Sequence, residues 1–449
     1  MRSPQRLLAA LGALGMALVS ALPAAAAAPH PRTDEWWFAP WSIEQKIWPV
    51  TQGHGVTVAL LDGGVNVTLP EIAGAVLPGA DMSGHGTDGR TDLSKYGHST
   101  SMAALIAGQG GGRSRFVGTA PQAKILPVDV TGGAISPDRL ATTLAKGIRF
   151  AADHGAKVIT MPLGARASSP CPSTVMDAIA YAVRRDVVLV AAAGNSGNTD
   201  NDVEFPASCP GVVAVGATDD YSRPWSQTQA HDYVSVAAPG VDMPTIGKNK
   251  NYYYAHTNGT SNSTALVSAA AALVRAANPT MSGREVVHRL IATALDVNTP
   301  GSDAQTGYGI VRISRALDTS YAVPANSPNP PYERFDQGQN PRTGVPSATV
   351  PPGASRNGLS LGPVVLMVVL ILVVGVLAVL VAGRFVRRSV QSRRSVDDGP
   401  ASAPTPADPA STAGPAHSPG QGDPVAPAGF DKKVRPIFEP PHEDHPSGE

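Results

Sequence analysis

The chain has few charged residues and almost no cysteine. Charged residues make up 16% of its 449 positions, and 35 basic residues balance 35 acidic ones. This composition indicates no basic surface of the kind that binds nucleic acid. The chain has two cysteines, Cys171 and Cys209, and no further cluster of Cys or His accompanies them. This scarcity argues against a metal site, and we expect neither a metal nor a cofactor.

Two apolar segments near the ends of the chain predict how it meets the membrane. Residues 7–22 follow Arg2 and Arg6 and precede a run of small residues, so 1–28 are predicted to be a signal peptide. Residues 361–383 carry no charge and are long enough to cross about 30 Å of hydrocarbon as a helix. Arginines directly after this segment predict a single pass through the plasma membrane, with the C-terminal tail in the cytoplasm and the main domain outside.

Composition divides the rest of the chain. Residues 29–44 form a short N-terminal arm with four aromatic residues, Trp36, Trp37, Phe38 and Trp41. These could pack on the main domain or contact a partner, and packing is the favoured interpretation. The main domain spans 45–318, a Pro-rich linker is predicted at 319–360, and 384–449 have the composition of a disordered tail.

The predicted export of the main domain bears on its two cysteines. Both lie in the part expected outside the membrane, where conditions are oxidising. A disulfide between Cys171 and Cys209 is therefore favoured over two free thiols.

Three polar residues stand at positions typical of a catalytic triad. Asp62 ends the apolar run 56–61, where a buried strand meets a turn. His98 stands just before the helical pattern 102–107, and Ser261 follows Gly259 and Thr260 at the start of a helix of small residues. A serine hydroxyl needs an imidazole to take its proton and a carboxylate to orient that imidazole.

Acyl transfer also needs donors for the oxyanion that develops in the transition state. Asn195 follows the apolar strand 187–190 and carries an amide side chain. It is the candidate donor, together with the backbone N–H of Ser261.

The four segments, in the order Asp, His, Asn, Ser, resemble the subtilisin-like serine proteases over roughly residues 45–318. The resemblance implies hydrolysis of peptide bonds of a polypeptide substrate through an acyl-enzyme. It also implies that Pro162, Leu163 and Gly164 flank the substrate. Its fold is a three-layer α/β arrangement with a mostly parallel central sheet, to which this chain adds the C-terminal transmembrane helix.

The sequence pattern agrees with that α/β fold, because apolar strands alternate with amphipathic helices. Strands are predicted at 56–61, 124–130, 157–160, 187–191 and 212–216, and helices at 101–107, 140–154, 175–184, 260–278 and 283–294.

Several positions depart from the usual family pattern. Asn262, Ser263, Thr264 and Ala265 follow the nucleophile, where the family has small or apolar residues and a proline. Ser99 stands where glycine usually follows the histidine, Gly63 where Ser or Thr follows the aspartate, and Pro162 where a serine is common. The three triad side chains are kept. The alternative is a weakly active or inactive subtilisin-like scaffold that stabilises a secretion complex.

The order of segments, from signal peptide to C-terminal membrane helix, resembles the mycosins, the membrane-anchored proteases of actinobacterial type VII secretion. This resemblance implies type VII membrane components as partners. An acidic loop, Asp200, Asn201, Asp202 and Glu204, could be considered for calcium, but such loops are common without metal and no ion is favoured.

Overall fold

The computed structural model describes residues 29–94, 96–133, 136–166, 169–249 and 253–339. The predicted signal peptide, the predicted transmembrane segment 361–383 and the predicted tail 384–449 lie outside these residues. Among the helices that are described, none has the length and apolar character needed to cross a bilayer.

The described residues form a parallel sheet. Strands that are buried on both faces read as near-continuous apolar runs, which is what these segments show. In chain order the strands are β1 (Thr57–Asp62), β2 (Ala80–Asp81), β3 (Lys124–Asp129), β4 (Val158–Met161), β5 (Val188–Ala192), β6 (Val212–Thr218) and β7 (Val234–Pro239). Their order across the sheet is β2-β3-β1-β4-β5-β6-β7, and every neighbouring pair is parallel. The expected mostly parallel α/β sheet is confirmed.

Helices cover both faces of this sheet. They are α1 (His98–Ala107), α2 (Pro137–Asp153), α3 (Ser173–Arg184), α4 (Thr260–Ala277), α5 (Gly283–Ala292), α6 (Ile313–Leu317) and α7 (Pro330–Gln339). Alternate side chains of β1 enter different cores: Val58 and Leu60 pack with α1 and α4, whereas Ala59 and Leu61 pack with α2 and α3. Because side chains alternate between the two faces of a strand, each face packs against its own helices. The fold therefore has three layers, with the sheet between two layers of helices.

A two-stranded antiparallel hairpin precedes α4. It consists of β8 (Met243–Ile246) and β9 (Tyr253–Thr257). Gly97, immediately before α1, has a φ of 82°, and a Cβ there would lie 2.2 Å from the backbone nitrogen of Lys248 in this hairpin. A glycine at 97 thus permits both the left-handed backbone and the close approach of the hairpin.

The strand order indicates which edge of the sheet can carry a functional site. β1 lies between β3 and β4. The strands β2 and β3 are therefore added on one side of β1, and the strands from β4 onwards are added on its other side. Such a switch point opens a crevice at the carboxyl ends of the strands. Asp62 ends β1, Pro162 follows β4 and Asn195 follows β5, so all three lie at this edge.

The N-terminal arm packs on the main domain, as expected. Trp37, Phe38 and Trp41 are almost fully buried. The indole Nε1 of Trp37 donates to Thr119 Oγ1 at 3.2 Å, and Glu35 accepts a hydrogen bond of 2.8 Å from the backbone of Val117. The arm is therefore part of the folded domain.

Replacing Trp37 by alanine is expected to lower the free energy of unfolding by about 3–5 kcal/mol, since the indole is fully buried and leaves a cavity. Thermal or urea unfolding of the full chain would measure this. Trp36→Ala is the matched control, because Trp36 is only partly buried, and its effect should be clearly smaller. Equal effects would show that the burial of Trp37 contributes little.

The cysteine prediction is confirmed. Cys171 and Cys209 are joined, with sulfur atoms 2.08 Å and α-carbons 5.0 Å apart. The bridge ties the segment before α3 to the segment before β6, and the hydroxyl of Ser208 donates to the carbonyl of Pro170 beside it.

The prediction that 319–360 form an extended linker is wrong for its first part. Helix α7 lies inside this range, and its Tyr332 and Phe335 are buried. Arg284 of α5 forms two hydrogen bonds with Asp336, at 2.9 and 2.8 Å, and Gly211 donates to the carbonyl of Pro331. The Pro- and Asn-rich composition suggested a linker, but these aromatic and ionic contacts fix the segment on the domain.

Candidate active site

The carboxylate of Asp62 and the imidazole of His98 form a short hydrogen bond. Asp62 is buried at the end of β1 and His98 is the first residue of α1. Nδ1 of His98 lies 2.6 Å from Oδ2 of Asp62. Because an ionised carboxylate only accepts, Nδ1 must carry the proton. In the neutral ring Nε2 is then the free acceptor, which is the tautomer that a general base requires.

The electrostatics of His98 follow from this pair. Burial lowers the pKa of the imidazole, but the charge and hydrogen bond of Asp62 raise it by more, and Asp92 adds to the increase. The net pKa lies above its ordinary value. The imidazole therefore stays protonated to a higher pH than a free histidine.

Asp92 is a contributor that the sequence analysis missed. It is buried, and its Oδ2 accepts hydrogen bonds from the backbone and hydroxyl of Thr100 at 3.0 and 2.6 Å, which caps the start of α1. Its Oδ1 binds Ser94, whose hydroxyl accepts from the backbone N–H of His98 at 2.8 Å. Burial raises the pKa of Asp92. A carboxylate shortly before the candidate histidine was the available signal in the sequence.

Ser261 is the second residue of α4. Its hydroxyl donates to the backbone carbonyl of Pro162 at 2.8 Å. Within the described residues no hydrogen bond joins Ser261 to His98. Asp62 and His98 are thus brought together as expected, whereas the contact between His98 and Ser261 stays a prediction.

Asn195 lies beside the start of α4, next to Ser261. Its Oδ1 accepts from the backbone N–H of Thr260 at 3.0 Å and from the Thr260 hydroxyl at 2.9 Å. Because a backbone N–H can only donate, this contact fixes which end of the amide is oxygen. A Cβ built on Gly259 would lie 3.7 Å from the backbone nitrogen of Ser261 and 3.9 Å from Nδ2 of Asn195. Both candidate oxyanion donors therefore lie near one point.

The segment predicted to flank the substrate leaves the sheet at β4. Pro162 is buried, Leu163 is partly buried and Gly164 is exposed. The carbonyl of Pro162 accepts a hydrogen bond from the Ser261 hydroxyl, so this segment begins next to the candidate nucleophile.

Residues that depart from the family pattern have hydrogen-bond partners. The side chain of Asn262 donates to Thr257 Oγ1 at 3.1 Å, and the hydroxyl of Ser263 donates to the carbonyl of Ala238 at 2.9 Å. Ser99 Oγ accepts from the backbone N–H of Gly63 at 2.7 Å, which joins the turn after Asp62 to the helix of His98. These polar residues thus hold the segments of the site against one another.

Two groups of acidic residues bear on the expectation of no metal. Asp81, His85 and Asp129 have side-chain atoms within 4.8 Å of one another, but Asp81 accepts a hydrogen bond from the backbone N–H of Ser83 and Asp129 accepts one from its hydroxyl. In the loop after Asn195, Asp200 and Asp202 pair with Arg166, which supplies the positive charge. The absence of a metal stays a prediction.

Comparison with known families identifies the class. The sequence model of the subtilase family, peptidase S8, matches residues 53–309, more than half of the chain. The chain belongs to this family, and the resemblance predicted from its motifs is confirmed.

One curated protein and two solved structures show which members of the family this chain is similar to. Fervidolysin from Fervidobacterium pennivorans is 33% identical over 309 residues, covering 61% of this chain and 42% of fervidolysin. The chain thus spans less than half the length of that relative. The MycP3 protease from the type VII (ESX-3) secretion system is similar in structure, with a TM-score of 0.56 and 32% identity over 65% of this chain and 89% of that one. A chain of the periplasmic assembly from the ESX-5 inner membrane complex has a TM-score of 0.58 and 27% identity over 66% of this chain and 86% of that one.

Proposed function

We propose that this chain is a membrane-anchored serine endopeptidase that hydrolyses peptide bonds of exported polypeptides. The observation that carries the proposal is the 2.6 Å bond from His98 to the buried Asp62, at the sheet edge to which Pro162 and Asn195 also belong. This pair supplies an oriented base, the start of α4 supplies the Ser261 hydroxyl and one backbone donor, and Asn195 supplies the second donor.

The proposed reaction uses these groups in sequence. The Ser261 hydroxyl turns from the Pro162 carbonyl to Nε2 of His98, gives up its proton there and attacks the scissile carbonyl. Asn195 Nδ2 and the backbone N–H of Ser261 hold the oxyanion. His98 then passes the proton to the leaving amine, and the acyl-enzyme remains. A water molecule, deprotonated by His98, releases the acid and restores Ser261.

The cellular setting rests on the sequence and on the relatives. The predicted signal peptide and the apolar segment 361–383 support a single-pass protein with its catalytic domain outside the plasma membrane. The similar MycP3 protease comes from the type VII (ESX-3) secretion system, and the other similar structure is from the ESX-5 inner membrane complex. We therefore propose association with type VII membrane components.

A second candidate is an inactive scaffold within a secretion complex. The observation in its favour is that the Ser261 hydroxyl binds the Pro162 carbonyl instead of His98. A fluorophosphonate probe on the purified full chain separates the two functions, because it reacts with an activated serine without a known substrate. Labelling mapped to Ser261 by mass spectrometry supports the protease. Absence of labelling in the folded protein supports the scaffold.

Replacing Asn195 by alanine is expected to lower kcat by about 10²–10³-fold, since one oxyanion donor is lost while substrate contacts remain. Asn278→Ala, at the other end of α4, is the matched control and should leave kcat unchanged. Initial rates on a peptide substrate would measure both. Equal rates for Asn195→Ala and the original protein would exclude Asn195 from the oxyanion site.

A further inference from the structure

Glu204 is a half-buried carboxylate next to the segment that leaves β4. A Cβ built on Gly164 would lie 2.5 Å from Oε2 of Glu204, so a side chain at 164 would collide with it. Ala165 and Phe205 exchange backbone hydrogen bonds of 3.0 Å, which fixes the two segments side by side. The carboxylate therefore lies against the exposed face of Gly164.

The other side of Glu204 faces the loop of Asn195. Gln229 is fully buried, its Nε2 donates to the backbone carbonyl of Asp202, and its side chain lowers the pKa of Glu204. Its Oε1 occupies the place where a Cβ of Gly194, the neighbour of Asn195, would be. Glu204 and Gln229 thus lie between the two segments that flank the nucleophile.

Within the described residues, Gln229 Oε1 has no hydrogen-bond partner and Glu204 forms no ion pair. The nearby cation, Arg166, pairs with Asp200 and Asp202. Burial raises the pKa of Glu204, while Gln229, Arg166 and His231 lower it by less. Burial lowers the pKa of His231, which favours its neutral form.

A buried acceptor without a donor and a carboxylate without a paired cation are both costly unless a ligand satisfies them. A primary ammonium or a guanidinium would supply both a charge and several N–H donors.

The distance to the nucleophile suits an amino-acid side chain. Pro162 binds Ser261, and Gly164 is two residues further along, which is at most about 7 Å of extended chain. An extended lysine side chain reaches roughly 6 Å from its α-carbon. A substrate residue whose carbonyl lies at Ser261 can therefore direct its side chain towards Glu204.

We propose that Glu204, supported by Gln229, makes this protein select a basic residue, lysine or arginine, immediately before the scissile bond. The proposal rests on the proposed protease function. It names the substrate class of that site: exported polypeptides cut after a basic side chain.

The test uses the full chain and two peptidyl diphenyl phosphonates that differ only in the residue at the phosphorus, lysine or norleucine. Norleucine has nearly the same length and no charge. The lysine probe is expected to inactivate the protein about 10- to 100-fold faster, the range for a hydrogen bond to a charged partner. Glu204→Gln should bring the ratio close to one. Glu333→Gln on α7, the matched control, should keep the original ratio.

The experiment distinguishes a failure of this inference from a failure of the proposed protease function. A small fluorophosphonate without a peptide part reports Ser261 alone. If the original protein does not react with it, the protease function and this inference both fail. If it reacts, but the lysine and norleucine probes inactivate equally or norleucine is faster, only the inference fails.

A ratio that persists in Glu204→Gln would also overturn the inference. If Glu204→Gln does not fold, Glu204→Asp replaces it, since the carboxylate is kept but withdrawn by one methylene. Its lysine preference should then be reduced, and an unchanged preference counts against the proposal.

Discussion

Replacing Ser261 by alanine is expected to abolish fluorophosphonate labelling and to lower kcat by on the order of 10⁶-fold, because the hydroxyl is the attacking atom in the proposed reaction. The fold should remain, since alanine suits the start of a helix and the lost hydrogen bond to Pro162 contributes only about 1 kcal/mol. Mass spectrometry of the full chain measures the loss of labelling, and thermal unfolding measures whether the fold remains.

Ser320→Ala is the control for this experiment. Ser320 is exposed, and its hydroxyl binds the carboxylate of Asp318 outside the site. Its removal should leave labelling intact. If Ser261→Ala labels as strongly as the original protein, Ser261 is not the nucleophile.

The second large effect is expected for Asp62→Asn. The amide no longer holds the tautomer with the proton on Nδ1, so kcat/KM should fall by about 10⁴-fold. The pH profile should move as well. In the original protein the raised pKa of His98 means that activity is lost as the pH falls through that raised value. Without the charge of Asp62 the pKa falls, and the acidic midpoint of the residual activity should shift to lower pH.

Asp88→Asn provides the comparison, because Asp88 is an exposed carboxylate paired with Arg90. This variant should keep both the rate and the midpoint. An unshifted midpoint in Asp62→Asn would show that Asp62 does not control the ionisation of His98.

The residues after Ser261 bear on whether the site is under reduced catalytic demand. From sequence alone, Asn262 to Ala265 were compatible with a site under reduced catalytic demand. In the structure, Asn262, Ser263 and Thr264 are buried and each has a hydrogen-bond partner. Buried polar groups without hydrogen-bond partners would have indicated a site under reduced catalytic demand. Their pairing indicates that these polar residues replace apolar packing at the same place.

Periodicity predicted most of the sheet and helices to within a few residues. The apolar runs led to β1, β3, β4, β5 and β6, because strands buried on both faces need such runs. Strands β2 and β7, the hairpin of β8 and β9, and the short helix α6 were missed. β2, β8 and β9 have only two to five residues each, whereas β7 has six but contains Ser235 and ends at Pro239, so no long apolar run marks these segments. Helix α7 was missed because its proline, asparagine and charged residues are held by contacts to distant α5.

The sequence by itself determined which residues could act: Asp62 after an apolar run, His98 before a helix, Ser261 at a helix start and Asn195 after a strand. Local pattern and chain order suffice for this, since each residue's setting is formed by its neighbours. Only the tertiary structure decided what each one contacts. The bond from Ser261 to Pro162 spans 99 positions, and Glu204 meets Gly164 through packing of two separate segments. Such contacts depend on how the strands are ordered and how the loops close, which no local pattern records.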